Sequence, residues 1–285
     1  MRTIGMIGLG LLGSAIAQRL LQAGYEVIGF DLDAARRQAL VTAGGTAVAR
    51  GQDVFAQCDT ILLSLPNSDI VAQVMADAAS DLRPGMLVID TTTGDPQAAE
   101  TLGAQLAERG VRYLDATVAG SSAQVQLADV LVMVGGDEAA FTAAGAVLAT
   151  FAADAFHVGP WGAGSRMKLV VNLVLGLNRA VLAEALMLAE SLGLDPRRTL
   201  ELLRASAAYS KVMDTKGPKM LACDFAPQAR LSQHLKDVRL ILATGERTGA
   251  ALPLSYLHRE LLERAEAAGF GDADNSAIIE AFRGR

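Results

Sequence analysis

The stretch TIGMIGLGLLGSAIAQRLLQAG, residues 3–24, decides the fold that the sequence predicts. Its beginning, TIGMI, is typical of a short buried strand, and its end, SAIAQRLLQAG, is typical of a helix that stops at a glycine. Gly8, Gly10 and Gly13 lie between the two. At this spacing the first glycine permits a tight turn, the second lets the backbone approach a pyrophosphate, and the third lets helix and strand pack closely. The stretch therefore predicts a dinucleotide-binding strand-turn-helix unit.

The next predicted strand, EVIGF (26–30), supports this interpretation. Asp31 follows it directly, 23 residues after Gly8, near the spacing at which an acid binds the ribose hydroxyls of a dinucleotide. Because a carboxylate repels a 2′-phosphate, the sequence predicts NAD as cofactor, and Arg36 and Arg37 leave NADP possible. The alternative is a glycine-rich turn that binds no cofactor. The turn residues predicted to hold the pyrophosphate are Gly8, Leu9, Gly10, Leu11, Leu12 and Gly13.

Composition excludes several classes of function. The chain has 285 residues, 25 Lys+Arg against 31 Asp+Glu, and 51% hydrophobic residues. This length suggests about two domains, and the slight negative charge disfavours a nucleic-acid surface, which needs concentrated lysine and arginine. Two cysteines and three histidines show no metal-ligand spacing, so we predict no metal and a reducing, cytoplasmic location.

The apolar N-terminus also permits a second interpretation, a secretory signal peptide. Gly5, Gly8, Gly10 and Gly13 interrupt it, and a strand-turn-helix explains these glycines better. Elsewhere no run of about 20 apolar residues lacks a polar or charged group, so no membrane partner is predicted.

Apolar runs alternate with helix-like segments as far as about Val158. The runs TILLS, MLVID, VRYLDA and VLVMVGG follow the two strands above, which predicts a parallel sheet covered on both faces. After VGPWGAG (158–164) the pattern becomes helical. A long apolar helix is predicted over 165–192, with further helices at 195–207, 231–248, 252–268 and 274–282. The predicted fold is α/β: a Rossmann-type parallel-sheet domain, 1–160, and an all-α domain, 161–285, linked by a long helix.

Lys168 lies near the start of that apolar helix, with Asn172 four residues later on the same face. One interpretation is a lysine whose stem is buried and whose amine reaches the surface. The other is a partly desolvated lysine that exchanges a proton with a substrate oxygen and is held by Asn172.

A turn of small residues, DATVAGSS (115–122), follows another predicted strand. Such a turn can present N–H groups and hydroxyls to a carboxylate, although it can also be an ordinary polar loop. The candidate substrate-binding residues in it are Ala119, Gly120, Ser121 and Ser122.

Together these segments resemble the β-hydroxyacid dehydrogenase family over almost the whole chain. GLGLLGSAIAQRL is similar to the family's GLGxMGxxMAxNL, and GAGSRMKLVVN matches its GxGxxxKxxxN. DTTTGDP looks like its DxSTxxP segment, HLKDVRL contains its KD motif, and GDADNSAIIEAF resembles its closing helix with Asp274 in place.

The resemblance implies a role for several residues. Lys168 is the implied catalytic residue, and Asn172 is an implied substrate contact. Thr93 is implied to lie beside the nicotinamide, and Lys236 to reach over the cofactor. The residues implied to line the adenosine-ribose and pyrophosphate side are Leu65, Pro66 and Asn67.

The substrate loop departs from the family pattern, DAPVSGGxxGA. This chain reads DATVAGSSAQ, so that Ala119 stands for the family's carboxylate-binding serine. Ser121, Ser122 or backbone N–H groups are expected to replace the lost hydroxyl. Thr117 also stands for the family's proline, and Val171 stands where many members carry an asparagine.

The resemblance implies an oxidoreductase that transfers a hydride between NAD(P) and a small 3-hydroxy acid or its semialdehyde, with Lys168 as general acid/base. The alternatives are a reductase of imines or non-carboxylated aldehydes on the same scaffold, and a non-catalytic dinucleotide-binding sensor. The expected partners are a small carboxylate substrate and further copies of this chain, in a homodimer or homotetramer.

Overall fold

A computed structural model describes residues 3–283 and divides the chain into two compact units, one up to Lys168 and one from Leu169 onward. The strands of the first unit are β1 (Thr3–Ile7), β2 (Glu26–Phe30), β3 (Thr46–Ala47), β4 (Thr60–Leu63), β5 (Leu87–Asp90), β6 (Arg112–Ala119), β7 (Leu131–Gly136) and β8 (Asp154–Gly159). Its helices are α1 (Leu11–Gln22), α2 (Ala34–Thr42), α3 (Gln52–Gln57), α4 (Ser68–Asp77), α5 (Pro96–Glu108), α6 (Ser122–Gln126) and α7 (Glu138–Leu148), with a short 3₁₀ turn at Ala79–Asp81.

These strands form one sheet in the order β3-β2-β1-β4-β5-β6-β7-β8. The predicted parallel pairing is correct for β1, β2, β4, β5 and β6. The unpredicted strands β3 and β8 also pair in parallel, with β2 and β7 respectively. It is wrong for β7, which runs antiparallel to β6. The physical reason is the short connection, residues 120–130, because a parallel crossover needs about a dozen residues or more.

The two strands that the sequence analysis missed lie at the two edges of the sheet. β3 has only two residues, and β8, DAFHVG, is half-buried or exposed along its whole length. Neither contains the buried apolar run that marks a central strand.

The order of the strands reverses at β1, which lies between β2 and β4. Ile7 at its end pairs with Phe30 on one side and Leu63 on the other. Ligands of such sheets bind beyond the carboxyl ends of the strands at this reversal. The fold thus brings the loops after β1 and β4 to the expected ligand-binding edge.

Hydrophobic side chains cover both faces of the sheet. One cluster contains Met6, Leu62 and Ile89, packed with Ile16 and Leu20 of α1. The other contains Ile7, Leu63 and Val88, packed with helices α3 to α5. Each of these large side chains is at most 2% exposed, and burying one stabilises the fold by about 1.5–3 kcal/mol.

The second unit is helical in its described part, residues 169–283. α8 (Ala163–Ser191) begins in the first unit and continues into the second. The other helices are α9 (Pro196–Ala205), α10 (Lys211–Thr215), α11 (Gly217–Ala222), α12 (Leu231–Thr248) and α13 (Pro253–Ala265), followed by an irregular turn at Glu266–Phe270 and a 3₁₀ helix at Asn275–Ala281. The predicted domain limits, 1–160 and 161–285, remain a proposal.

The predicted helix at 231–248 is confirmed by α12, whereas two other predictions need correction. α13 ends at Ala265, short of residue 268, and Gly269 follows with φ +95°. The segment 274–282 forms a tight 3₁₀ helix, not an α-helix. α10 and α11 were not predicted, because five or six residues are too few to show a helical period.

α8 combines a high content of apolar residues with buried polar side chains. Among the helices of residues 3–283, α8 alone is long and apolar enough to cross a membrane. The mean hydropathy of its most apolar stretch is 1.6, and 44% of that stretch is buried. Core helices of globular proteins meet the same criteria. Lys168, Asn172 and Arg179 interrupt the apolar sequence of this helix, and each is at most 7% exposed.

Replacing Gly13 with alanine is expected to destabilise the protein. A Cβ there would overlap the carbonyl oxygen of Gly8 and lie 3.2 Å from Cβ of Ser64. The free energy of unfolding, measured by urea denaturation, should fall by about 1–3 kcal/mol. Gly145→Ala is the matched control, because a Cβ at this α7 position meets nothing within 4 Å. It should raise the free energy of unfolding by about 0.5–1 kcal/mol. Equal effects of the two substitutions would contradict close packing at Gly13.

Candidate active site

The glycine-rich turn after β1 has the geometry that its sequence predicts. Gly8 adopts φ +91°, and a Cβ on it would overlap the carbonyl oxygen of Ser64. A Cβ on Gly10 would meet only Arg36, at 3.9 Å. α1 starts at Leu11 with no side-chain cap, which leaves its first N–H groups without intrahelical partners. The open approach to Gly10 and the uncapped N–H groups fit the pyrophosphate of a dinucleotide.

Asp31, at the end of β2, is tied to this turn. Its Oδ2 accepts a hydrogen bond of 2.7 Å from Leu9 N, and its Oδ1 accepts one of 2.9 Å from Asp33 N. Arg36 Nη1 lies 3.4 Å from Asp31 Oδ2, and Arg37 Nη1 donates to the Asp31 carbonyl oxygen at 2.6 Å. The predicted ribose-binding carboxylate therefore also holds the glycine-rich turn in place.

The loops after β4 and β5 meet beside the turn. Leu65 N donates to Thr92 Oγ1 at 3.1 Å, and Thr91 Oγ1 donates to the Leu63 carbonyl oxygen at 2.8 Å. Asn67 caps α4 by accepting a hydrogen bond of 3.0 Å from Ile70 N. The structure thus places Leu65, Pro66 and Asn67 beside the loop that carries Thr93.

Asp90, the last residue of β5, lies beside the same loops in a cavity of about 30 Å³. It is 5% exposed and accepts hydrogen bonds of 2.9 Å from Thr92 N and 3.0 Å from the Tyr113 hydroxyl. Burial raises the pKa of Asp90 to about 6, against these hydrogen bonds and helped by the charge of Asp115.

Asp115, in β6, fixes the start of α8. Its Oδ1 accepts from Gly162 N at 2.9 Å, and its Oδ2 accepts from Ser165 N at 2.7 Å. Two residues along the strand, Thr117 Oγ1 donates to the Gly164 carbonyl oxygen at 2.9 Å. In the sequence, Asp115 stands only at the start of the DATVAGSS segment, without an assigned role. Its one signal was an acid inside an otherwise apolar strand.

Lys168 lies in the second turn of the helix that Asp115 fixes. It is 7% exposed, and its Nζ donates to the Val118 carbonyl oxygen at 2.6 Å. The amine is therefore buried at the beginning of the 119–122 loop, which disagrees with the alternative of a lysine reaching the surface.

The predicted turn at 115–122 is wrong for residues 115–119, which continue strand β6 because they pair with β7. The connection is Gly120 and Ser121, and Ser122 begins α6; residues 119–122 are called the 119–122 loop here. Its two serines have different roles. Ser121 Oγ accepts from Gln124 N at 3.3 Å and lies 3.2 Å from Gln124 Oε1, which also accepts from Ser121 N. This capping box commits Ser121 to the start of α6. Ser122 is half-buried, and its hydroxyl makes no hydrogen bond to any residue from 3 to 283.

The second unit brings two predicted residues together through a third. Asn172 Nδ2 donates to Asp237 Oδ2 at 2.9 Å, and Lys236 Nζ lies 3.2 Å from Asp237 Oδ1. Asn172 and Asp237 are each 7% exposed. Sequence reasoning gave Asp237 no role, although it lies in the KD motif. Among residues 3–283 no group of three His, Cys, Asp or Glu side chains is placed to hold a metal ion.

The reversal of strand order, the glycine-rich turn and the acid after β2 define a dinucleotide-binding protein. A buried lysine in the same unit is a group that can exchange a proton with a bound substrate. Residues 3–159 match the family model described as the NAD binding domain of 6-phosphogluconate dehydrogenase. Residues 162–282 match the model described as NAD-binding of NADP-dependent 3-hydroxyisobutyrate dehydrogenase.

Similar proteins span the whole chain. The 2-(hydroxymethyl)glutarate dehydrogenase of Eubacterium barkeri is 36% identical over 98% of this chain and 94% of its own. The L-threonate dehydrogenase of Cupriavidus necator is 34% identical over 99% and 97%. The solved 3-hydroxyisobutyrate dehydrogenase of Mycobacterium tuberculosis with L-serine has a TM-score of 0.91 and 29% identity, covering 100% of both chains. The chain belongs to the β-hydroxyacid dehydrogenase family and is an NAD(P)-dependent oxidoreductase.

Asp90→Asn is expected to change how stability depends on pH. Because burial raises the pKa of Asp90 from 3.8 to about 6, its protonated form stabilises the native state. That contribution is complete below pH 3.8 and is lost as the pH rises through 6. Relative to Asp90→Asn, the unaltered protein should therefore lose about 2 kcal/mol of unfolding free energy between about pH 4.5 and 7.5.

Urea denaturation at a series of pH values measures this difference. The matched control is Asp272→Asn, since the side chain of Asp272 is 89% exposed, and this variant should follow the unaltered protein. A difference between Asp90→Asn and the unaltered protein that stays constant with pH would contradict the raised pKa.

Proposed function

We propose that this enzyme oxidises a small 3-hydroxy acid, or reduces the matching semialdehyde, by hydride transfer at C3. The observation that carries the proposal is the buried Lys168 amine, 2.6 Å from the Val118 carbonyl oxygen and beside the 119–122 loop. The similar proteins are named for hydroxymethylglutarate, threonate and 3-hydroxyisobutyrate, which all carry a hydroxyl group and a carboxylate.

When bound, NAD(P) supplies the acceptor or donor of the hydride at C4 of its nicotinamide. In the oxidation, Lys168 Nζ takes the hydroxyl proton while the C3–H bond breaks and its electron pair leaves with the hydride. In the reduction, the Lys168 ammonium returns that proton to the carbonyl oxygen. An ammonium beside the reacting oxygen also stabilises the negative charge that develops there.

The remaining residues bind and orient the substrate. Ser122, whose hydroxyl is not used inside residues 3–283, is proposed to donate to the carboxylate together with N–H groups of the 119–122 loop. Asp237 fixes the Asn172 amide and the Lys236 amine at 2.9 and 3.2 Å. Asn172 is proposed to contact the substrate, and Lys236 the cofactor.

NAD is the proposed cofactor in preference to NADP. Asp31 is 8% exposed and is held by two backbone N–H groups, so its carboxylate cannot easily swing away from a ribose bound there. A 2′-phosphate at that ribose would meet negative charge.

A soluble cytoplasmic homodimer or homotetramer is the proposed form of the enzyme. Support comes from apolar side chains on α8 that are 50% or more exposed on one chain and that a second copy would bury. These are Val170, Val174, Val181 and Leu188.

Lys168→Ala is expected to remove turnover and leave cofactor binding nearly unchanged. Short 3-hydroxy acids and their semialdehydes are assayed with NAD and NADP, beside uncharged aldehydes and imines. For the best substrate, kcat should fall by about 10³-fold, because proton transfer by a positioned group contributes that much. The Kd of NAD, measured by fluorescence titration, should stay within a factor of two or so of the unaltered value.

The exposed Lys211 supplies the matched control, and Lys211→Ala should keep full activity. Substantial turnover by Lys168→Ala would refute the role of the amine. A preference of the unaltered enzyme for uncharged aldehydes or imines would instead favour the reductase alternative, and no turnover of any compound would favour the sensor.

Ser122→Ala and Ser121→Ala are expected to have different effects. Loss of a hydrogen bond to a carboxylate should raise the KM of the Ser122→Ala enzyme by about tenfold or more with little change in kcat. Ser121→Ala removes the cap of α6 and should mainly lower the free energy of unfolding, by about 1 kcal/mol. Steady-state kinetics and urea denaturation of both variants measure this. A larger KM effect at Ser121 would reverse the assignment.

A further inference from the structure

Arg179, in the middle of α8, is a buried cation that pairs with none of the described residues, 3–283. It is 6% exposed, and no residue from 3 to 283 accepts a hydrogen bond from its guanidinium or pairs with it. Arg179 is absent from the fully buried side chains that lack a hydrogen bond. Since its guanidinium makes no hydrogen bond within residues 3–283, its nitrogen atoms must keep some accessible surface. Burial lowers the pKa of Arg179 to about 10, against the charges of Asp274 and Asp237. It is therefore charged at neutral pH.

The first nearby carboxylate, Asp274, is already engaged. Lys216 Nζ lies 2.9 Å from both of its oxygens. The backbone N–H groups of Gln228 and Ser276 add hydrogen bonds of 3.0 and 3.1 Å. Asp274 is completely buried, and Lys216 neutralises it.

The second carboxylate, Asp237, is engaged as well. It accepts a hydrogen bond from Asn172 and pairs with Lys236. Lys216 and Lys236 thus match the two carboxylates, and Arg179 is the positive charge left over in this part of the unit.

The imidazoles beside Arg179 add no negative charge. Gly176, one turn earlier on α8, lets the rings of His234 and His258 pack on the helix, where a Cβ would lie 2.5 Å from each. The ring centroids are 5.2 Å apart. Burial, and then the charge of Arg179, lowers the pKa of His258 to about 4, so that this ring is neutral at pH 7. Its Nε2 is buried and has no hydrogen-bond partner among residues 3–283.

An unmatched buried guanidinium costs several kcal/mol unless something binds it. Its planar donors match the two oxygens of a carboxylate, which makes arginine the usual receptor for that group. Other arginines of this unit already have such a partner: Arg204 lies 3.0 Å from Asp214, and Arg239 lies 3.1 Å from Glu263. Arg179 therefore has the environment of a binding residue and not of a structural ion pair.

Arg179 follows Asn172, the proposed substrate contact, by seven residues on the same helix. Seven residues advance a helix by roughly 10 Å and return to nearly the same face. An arginine side chain leans towards the N-terminus of its helix and so shortens this gap. A substrate held at Asn172 reaches the guanidinium if its carbon chain extends along α8 by several bonds.

We propose that Arg179 binds a second carboxylate of the substrate, and that the preferred substrates are 3-hydroxy acids with a carboxylate at the far end of their side chain. This inference rests on the proposed function and names the substrate class of the same site.

The test compares matched pairs of substrates. A series of 2-hydroxymethyl dicarboxylates of increasing chain length is assayed, each beside the amide of its far carboxylate. The unaltered enzyme should prefer the diacid to its amide by at least about tenfold in kcat/KM for one chain length. Arg179→Met should lower kcat/KM for that diacid by about 30- to 100-fold and abolish the preference.

Two further variants control for structural effects. Arg239→Met removes an exposed arginine of the same unit, whose side chain is 55% exposed, and should keep the preference. Arg179→Lys retains the charge but not the planar fork, so it should keep a smaller preference for the diacid. If Arg179→Met does not fold, Arg179→Lys and Arg239→Met still decide the question.

The outcomes separate this inference from the proposed function. Turnover of monocarboxylic 3-hydroxy acids without a preference for any diacid, or equal losses of Arg179→Met for diacid and amide, would overturn the role of Arg179 and leave the proposed function standing. If no hydroxy acid is turned over, the proposed function fails. In that case the deciding measurement is the change in melting temperature when a diacid is added. A rise in the unaltered protein that Arg179→Met loses supports the anion site, and no rise in the unaltered protein overturns it.

Discussion

The pair of hydrogen bonds that Asp115 accepts from the start of α8 is the constraint on which the proposed chemistry depends. Through Gly162 N and Ser165 N, at 2.9 and 2.7 Å, a strand of the sheet holds the first turn of a 29-residue helix. Gly164 tightens this junction, since a Cβ there would overlap the Asp115 carbonyl oxygen. Lys168 projects from the next turn, so its amine is positioned by the sheet. A lysine on a helix whose first turn is fixed keeps one position, whereas a lysine on a loop would be less ordered and less well positioned for catalysis.

Two other buried acids at strand ends act in the same way. Asp31 holds Leu9 N, and Asp90 holds Thr92 N. In each case a carboxylate accepts backbone N–H groups that would otherwise be unpaired at the carboxyl edge of the sheet. The three differ in their surroundings: burial raises the pKa of Asp90 and of Asp115, so ionising either of them works against the fold. The sheet edge proposed to bind ligands thus contains carboxylates whose ionisation is unfavourable, which is common at functional sites.

The sequence predicted those features of the site that depend on local backbone chemistry. Gly8 must adopt a positive φ, and Asp31 must follow a strand, so the spacing alone indicated them. Features that depend on distant partners could not be predicted in this way. Asp115 acts on Gly162, 47 residues away, and Asp237 acts on Asn172, 65 residues away. The reversed direction of β7 was missed because the strand itself looks the same in either direction.

In the second unit, buried charges that have oppositely charged partners can be distinguished from a buried charge that has none. The first kind is structural, and the second is a candidate for binding a ligand. Lys216 and Asp274 are both nearly buried, but each satisfies the other at 2.9 Å, and backbone N–H groups complete the set. Because all its members have partners, this group tolerates burial, and it fixes the start of the 3₁₀ helix at Asn275–Ala281 to the junction between α10 and α11. Arg179 carries the same kind of charge and is buried to the same extent as Lys216, but no carboxylate among residues 3–283 pairs with it. Natural cores rarely leave a buried cation without an anion. The unpaired Arg179, in the same unit as the paired Lys216 and Asp274, therefore supports the proposal that a bound ligand supplies its anion.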